Sequence, residues 1–320
     1  MALAGGDSIL RRLRPGSLFP EYTWPQKLSG SIATDIPTPP QPIHRFISRF
    51  CGWVHKRLVK FSLHYYCPWV GVLFDNQIVP LPFGLLLKRS DGTRLEEVQA
   101  MRVARIAGFP VPKVICYGEH PDSPRAPVSI LMTRLPGDIL SDAYDLMTEE
   151  ERKQVLSEVK FYLDRMRAWS NPSGRDRICS ISNGPIRSIR VPQHLIGPCD
   201  NLQGFNESLI GPAWAAKHRQ DYENLMDSAR KLHRKACRIV FTHGDFMHHN
   251  ILVKDGHVTG IIDWEAAGWY PDYWEFTTAW RYQTPDFWWW HFVHGLGGNE
   301  YLEESEGDRA VRNLTNTSFA

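Results

Sequence analysis

The 320-residue chain holds only six cysteines, Cys51, Cys67, Cys116, Cys179, Cys199 and Cys237, and none stands in a CxxC pair. Such sparsity excludes a disulfide-dense scaffold and predicts reduced thiols. No uninterrupted apolar run approaches the roughly 18 residues that a membrane-crossing helix needs. The first residues also lack an apolar core followed by a small-residue cleavage site, so a cytoplasmic protein with no membrane partner is expected. A basic surplus is missing too: 37 Lys and Arg against 35 Asp and Glu leave a net charge of +2, which argues against a dedicated nucleic-acid binder. A small acidic ligand stays compatible with that balance. What is present, 42% hydrophobic and 22% charged residues, is the composition of a globular protein rather than a disordered or fibrous one.

Prolines crowd the start of the chain. Pro15, Pro20, Pro25, Pro37, Pro39, Pro40 and Pro42 deny helix donors and predict an extended arm over 1–44. From Arg45 to Leu63, Phe46, Phe50, Val54, Leu58 and Phe61 recur near a 3.6-residue period, which predicts a helix packed through that face rather than a membrane anchor. Pro80 and Pro82 delay the next strand, which is expected to begin after the second proline and to run through Leu85, Leu86 and Leu87 to Lys88. A turn at Asp91 and Gly92 leads to a helix carrying Glu97, Ala100, Met101, Ala104 and Ile106, stopped near Gly108 and Pro110. Strands at Val114–Tyr117 and Val128–Thr133 complete a small sheet. Thr148 and Glu151 then form a capping box ahead of Val155, Val159, Tyr162, Leu163 and Met166 on one helical face. Residues 170–212 are rich in Gly, Pro, Asn and Ser and read as a long, partly ordered insertion, with Arg175, Arg177, Arg187 and Arg190 first as solvated charges and second as contacts to acidic parts of a ligand. A further helix is expected over His218–Leu232.

The chemistry concentrates in FTHGDFMHHNILVKDGHVTGIIDWEAAGWYPDYWEF, which begins at Phe241. Ile239–Phe241 predicts a strand feeding a polar loop, Ile251–Val253 a second strand, and Asp255-Gly256 a turn into Val258–Ile262. That hairpin places Asn250 and Asp263 near the ends of paired strands, where two oxygen donors converge on a hard cation such as magnesium. His248 and His249, with His243 and Asp245, raise zinc as an alternative. Adjacent side chains on a regular strand point apart, however, and the oxygen pair favours magnesium. His243 is expected to fix the loop rather than to react.

The order HGD at His243–Asp245, Asn250 five positions beyond Asp245, Asp263 within IIDWE, and then AGWYPDYWE resembles the aminoglycoside phosphotransferase-like branch of the protein-kinase-like fold. The resemblance covers about residues 75–295. It implies an α+β, bilobal architecture: after the arm at 1–44, a small antiparallel-sheet lobe with its preceding helix over 45–134, and a larger, mainly helical lobe over 135–320 that contains the catalytic loop and the insertion. It further implies transfer of the γ-phosphoryl group of ATP to a hydroxyl of a small metabolite, with ATP and Mg2+ required. Asp245 is then the base, Asn250 and Asp263 the metal ligands, and Lys88 with Glu97 the pair that positions phosphate. Met132, Thr133 and Arg134 match the linker between the lobes, where backbone groups meet an adenine edge and Met132 covers the base or packs in the core. Glu265 would hold a basic side chain or support the loop.

One departure stands out. No GxGxxG precedes Lys88; FDNQIVPLPFG carries a single glycine at its end. That leaves two other readings open, a kinase-like enzyme repurposed for a different small-molecule reaction and a catalytically inactive, pseudokinase-like binding protein. The aromatic residues Trp274, Phe276, Trp280, Tyr282, Phe287, Trp288, Trp289, Trp290 and Phe292 read first as core and second as a wall for a bulky acceptor, to which Trp269 or Tyr270 could contribute. Oligomeric state is not legible.

Overall fold

The computed structural model describes residues 15–24, 31–123, 126–188, 190–191, 194–217, 219–233, 237–281 and 283–316. The expectations for residues 1–14, Pro25, His218 and Tyr282 lie outside these. Two lobes follow one another along the chain.

The small lobe is built on one antiparallel sheet of β1 (Ile78–Leu81), β2 (Leu85–Lys88), β3 (Val114–Glu119) and β4 (Val128–Thr133), in the order β1-β2-β4-β3. The expected strand after Pro82 is β2, but Pro80 does not delay pairing: it sits inside β1, opposite Leu86. An edge strand has one side without ladder bonds, so a proline there removes no donor that the sheet needs. Helix α2 (Leu95–Ile106) carries Glu96 and Glu97 in its first turn, where carboxylates suit the positive end of the helix, and buries Val98, Met101, Val103 and Ala104.

Helix α1 (Arg45–Phe61) exists where the spacing predicts it, and Leu58 of the predicted face packs against the core, but the three phenylalanines of that face do not. Its buried residues are Ser48, Gly52 and His55, whereas Phe46, Phe50 and Phe61 are exposed. The cause is a close backbone contact: a Cβ built on Gly118 of β3 would meet Gly52 Cα at 2.5 Å. Only small residues on both elements permit that approach. His55 then reaches the Ser129 hydroxyl of β4 at 2.7 Å, and His120 meets the same hydroxyl at 2.8 Å.

The described parts of the arm, 15–24 with a 3-10 turn at Gly16–Leu18 and 31–44 without regular structure, are tied down. Phe83 N donates to Ser17 O at 2.6 Å, Trp24 Nε1 to Phe83 O at 2.8 Å, and Trp24 N to Arg134 O at 3.2 Å. Farther on, Ile32 is buried in the main core and Trp169 Nε1 donates to Ala33 O at 3.0 Å.

The larger lobe opens with β5 (Asp138–Ile139) and α3 (Glu149–Arg167), whose capping box joins Thr148 and Glu151 as predicted. Three short strands, β6 (Cys179–Ser180), β7 (Ile186–Arg187) and β8 (Leu195–Ile196), precede α4 (Leu202–Ile210) and α5 (Tyr222–Arg230). Then come β9 (Ile239–Thr242), β10 (Ile251–Lys254), β11 (His257–Ile261) and β12 (Gly268–Pro271), followed by α6 (Trp274–Ala279), α7 (Trp288–Gly295) and α8 (Leu302–Asn316). The sheets are β11-β10-β5 and β6-β12-β9, with β7 and β8 paired separately.

Residues 170–212 are better packed than their composition predicts. Ile178, Ile186, Ile196, Phe205 and Leu209 share a buried cluster with Trp274, Val311 and Leu314. Arg190 is not a solvated charge: it is 1% exposed, pairs with Asp308 of α8, donates to the Thr277 and Thr278 hydroxyls at 3.1 Å, and lies 3.8 Å over the Trp274 ring. Its partner is 118 residues away in sequence, so no local pattern announces it. Among the described residues, no helix is long and apolar enough to cross a membrane.

His55, on the inner face of α1, gives the small lobe an acid sensitivity. Burial, with repulsion from His120, lowers the His55 pKa from 6.5 to about 4. Between those values the unfolded chain binds a proton that the folded one refuses, so stability is full above the unfolded value and is lost as pH falls through this window. At about pH 5 the loss is on the order of 2 kcal/mol. Thermal unfolding from pH 7 to 4.5 should therefore show a falling midpoint, and His55→Gln should flatten that slope; an unchanged slope refutes the assignment.

Candidate active site

The loop after β9 is shaped by three constraints. Gly244 has φ +85°, and a Cβ there would lie 2.2 Å from Ala266 O, so the middle position of HGD admits only glycine. Glu275, in the first turn of α6 and 1% exposed, accepts from His243 N at 2.7 Å and from Gly244 N at 3.0 Å. Burial pushes its pKa up to about 7, against the pull of those two amides. His243 Nε2 meets Ile262 O at 3.0 Å, which fixes the N–H on that nitrogen, and burial lowers its pKa so that the ring is neutral. His243 therefore ties the loop to the strand that carries Asp263.

This frame presents Asp245. Its Oδ1 accepts from Arg281 Nη2 at 3.0 Å, while Asn250 Nδ2 donates to Asp245 O at 2.8 Å and to Oδ2 at 3.3 Å. His248–Asn250 forms a single 3-10 turn instead of strand, so the rings of His248 and His249 stand 5.4 Å apart on a tight bend. His248 packs edge-on to Phe287 at 5.6 Å and Trp289 at 5.5 Å. Among the described residues, no group of three or more His, Cys, Asp or Glu is arranged to hold a metal ion.

The β10–β11 pairing sets Ile251 opposite Ile261, and Ile262 N donates to Asn250 O at 2.9 Å. Asn250 and Asp263 consequently flank the same end of one hairpin. Asp263 takes a left-handed conformation, φ 66° and ψ 63°, which turns the chain out of the strand at that point. Across the interlobe space, Lys88 Nζ lies 2.7 Å from Asp263 Oδ1, 2.8 Å from Glu97 Oε1 and 3.5 Å from Glu265 Oε2. Glu265 also accepts from Arg187 Nε at 3.0 Å. Arg187 is thus a structural partner rather than a loop charge in water.

Electrostatics follow from this crowding. Burial alone would lower the Lys88 pKa, but Glu97, Asp263 and Glu265 outweigh it and keep the ammonium charged. Burial would raise Asp263, yet the adjacent ammonium holds it below the usual carboxylate range. Glu97 is pushed up to about 7 by burial against Lys88, and Glu265 is raised by burial and by repulsion from Asp263. Three carboxylic groups face one ammonium and one guanidinium, so a cation added beside Asp263 would favour their ionised forms.

Lys88, Glu97 and Asp263 border a cleft of about 920 Å³ whose walls also include Met132, Thr133, Arg134 and Leu135; Asp245, Asn250 and Glu265 are not among its lining residues. Of the expected linker residues, Met132 is a buried wall, and Thr133 Oγ1 accepts from Lys113 N at 2.9 Å. Arg134 N donates to Gly84 O at 2.7 Å and Arg134 O accepts from Trp24 N, so both of its backbone groups are taken within the chain. Trp269 and Tyr270 belong to the core: both are at most 1% exposed, with Trp269 against Phe241 and the Tyr270 hydroxyl donating to Ala266 O at 2.6 Å. Glu275, Arg281 and Arg187 are the site residues that sequence reasoning missed. Glu275 stands in the quoted AGWYPDYWE, but nothing local says that it turns back to the loop.

Comparison with curated proteins finds no match. Among solved structures, a ternary complex of the aminoglycoside phosphotransferase APH(4)-Ia with ADP and hygromycin B is 18% identical, with a TM-score of 0.49, and the alignment covers 72% of this chain and 76% of that one. The gentamicin complex of APH(2")-IIa is 17% identical, with a TM-score of 0.46 over 76% of this chain and 79% of that one. A family model described as "Phosphotransferase enzyme family" matches residues 85–310, which runs from β2 into α8. With the bilobal α+β architecture and a match over most of its length, the chain belongs to the phosphotransferase enzyme family.

Proposed function

We propose that the protein transfers the γ-phosphoryl group of ATP to a hydroxyl of a small metabolite, with Mg2+ as the metal. The observation that carries this reading is the Lys88 ammonium held between Glu97 on α2 and Asp263 after β11, at the wall of a nucleotide-sized cleft. Bound Mg2+ would neutralise charge on the transferring phosphates. Asp263, with its carboxylate ionised, and Asn250, through its amide oxygen, would hold that ion; an oxygen-only pair leaves room for water and phosphate oxygens, as magnesium prefers. Lys88 would contact phosphate while Glu97 keeps its rotamer. Asp245 would orient the acceptor hydroxyl and take its proton as the new O–P bond forms and the bond from the γ-phosphorus to the ADP oxygen breaks. Arg281 would hold the Asp245 carboxylate in its attacking orientation. Met132 and Leu135 supply apolar cover for a base. The acceptor class stays broad: an aminoglycoside, a choline-like amine, a sugar or another hydroxylated metabolite.

Isothermal titration of ATP into the protein should give a saturable signal that requires Mg2+, and Asp263→Ala should weaken it at least about tenfold. Absence of binding by folded wild type would favour the repurposed or inactive readings. In an acceptor screen read by phosphate mass gain, Asp245→Asn should lower turnover by about 10²–10⁴-fold with the melting temperature unchanged, the range expected for loss of a general base. Unaltered turnover would remove Asp245 from that role. Gly244→Ala should fail differently, lowering the melting temperature and turnover together, because the added methyl meets the Ala266 carbonyl.

A further inference from the structure

Helix α1 buries Ser48, Gly52 and His55 and packs Leu58 and Val59 against the Val79, Leu81 and Leu87 cluster, while its aromatic residues point outward. At about 100° per residue, Trp53, Phe46, Arg57, Phe50 and Phe61 fall in one outward arc of about 80°. Lys60, Arg49, Lys56 and Arg45 follow in succession along one border of that arc, and all are exposed. Phe46 is 75% exposed, Phe50 58% and Trp53 54%. Phe50 stacks on Trp53 at 5.9 Å and the Arg57 guanidinium lies 5.1 Å over the Trp53 ring, so among the described residues the aromatic ridge is ordered by its own contacts. Phe61 stacks on exposed Tyr65 at 6.3 Å, so the aromatic surface runs past the end of the helix.

Exposed aromatics in this number mark a contact surface. Its chemistry selects the partner. No Asp or Glu occurs between His44 and Phe74, while Arg45, Arg49, Lys56, Arg57 and Lys60 do, so a two-fold contact with a second copy would set five cations against five. The surface is also one convex helix rather than a groove, which leaves no slot for an inserted peptide. A basic border beside a row of Phe and Trp matches a helix lying in the plane of a lipid interface, rings among the acyl chains and ammonium and guanidinium groups at anionic headgroups.

We propose that the outward face of α1 docks this protein on membranes containing anionic phospholipid. This goes beyond the catalytic reading and revises the expectation of no membrane partner: the contact is peripheral. None of the α1 residues lines the interlobe cleft, so docking leaves the cleft open.

The test is co-sedimentation of the full chain with vesicles of phosphatidylcholine alone or with about 30% phosphatidylserine. Wild type should bind the anionic vesicles and release them as salt rises. Replacing Arg49, Lys56 and Lys60 together with Ala should weaken partitioning by about a hundredfold, roughly fivefold for each cation. Phe50→Ser with Trp53→Ser should abolish binding even at low salt. Both variants should keep the wild-type melting temperature and the wild-type response to ATP and Mg2+, which separates this inference from the catalytic one. Equal binding to neutral vesicles, binding unchanged in both variants, or no binding by folded wild type would overturn it. So would a wild-type dimer that the Phe50 and Trp53 changes convert to monomer without any vesicle binding, since the face would then belong to a second copy.

Discussion

Lys88 stands at the end of β2, buried, with carboxylates from both lobes within 3.5 Å. A charge in that position cannot be left alone, because an unpaired buried ion costs several kcal/mol and removal of one partner about 3–5 kcal/mol. The pairing with Glu97 fixes α2 against the sheet, and the pairing with Asp263 fixes the small lobe against the β10–β11 hairpin. Glu265 extends the chain of charges to Arg187 and so to the β7–β8 segment. Glycine at position 92 belongs to the same arrangement, since a Cβ there would lie 2.3 Å from Glu265 Oε2. One ammonium thereby orders elements from residue 88 to residue 265.

The second framework is neutral in its aim. Glu275 closes the two amides before Asp245, His243 ties that loop to Ile262, and Asn250 holds Asp245 from the far side. Asn250 and Arg281 each donate to one Asp245 oxygen, and a carboxylate oxygen can accept more than one hydrogen bond. Positioning of this kind is what phosphoryl transfer demands, since its chemistry rests on orientation and charge more than on new covalent partners.

Much of this was legible because it is local. Thr148 and Glu151 cap α3 from three residues apart, Leu85–Leu87 lead into Lys88, and the 251–262 hairpin brings Asn250 and Asp263 to one end. The motif spacing HGD, Asn250 and Asp263 carried the family. What was not legible depends on long-range closure. Arg190 looks like a loop charge until Asp308 arrives from α8, and Arg281 gives no sign in sequence that it reaches Asp245. Residues 170–212 resemble an open insertion because their strands are two residues long, too short for period-2 alternation to register. Their core is shared with α8, whose apolar positions lie about a hundred residues later.

The misread orientation of α1 has a different origin. Periodicity reports which residues share a face, and Phe46, Phe50 and Phe61 do share one; it does not report which face turns inward. That choice was made by Gly52 and Gly118, which bring two backbones together, and by His55, whose ring finds the Ser129 hydroxyl. Small and polar residues thus fill the centre of the interface, with Leu58 and Val59 packing beside them. A sequence under selection for stability alone has no reason to leave a phenylalanine and tryptophan ridge in water, because burial of each ring is worth roughly 1.5–3 kcal/mol. The conflict between local pattern and observed packing is of the kind that concentrates at functional surfaces. Among the described residues nothing covers the α1 ridge, and the proposed docking would offset the cost of exposing it.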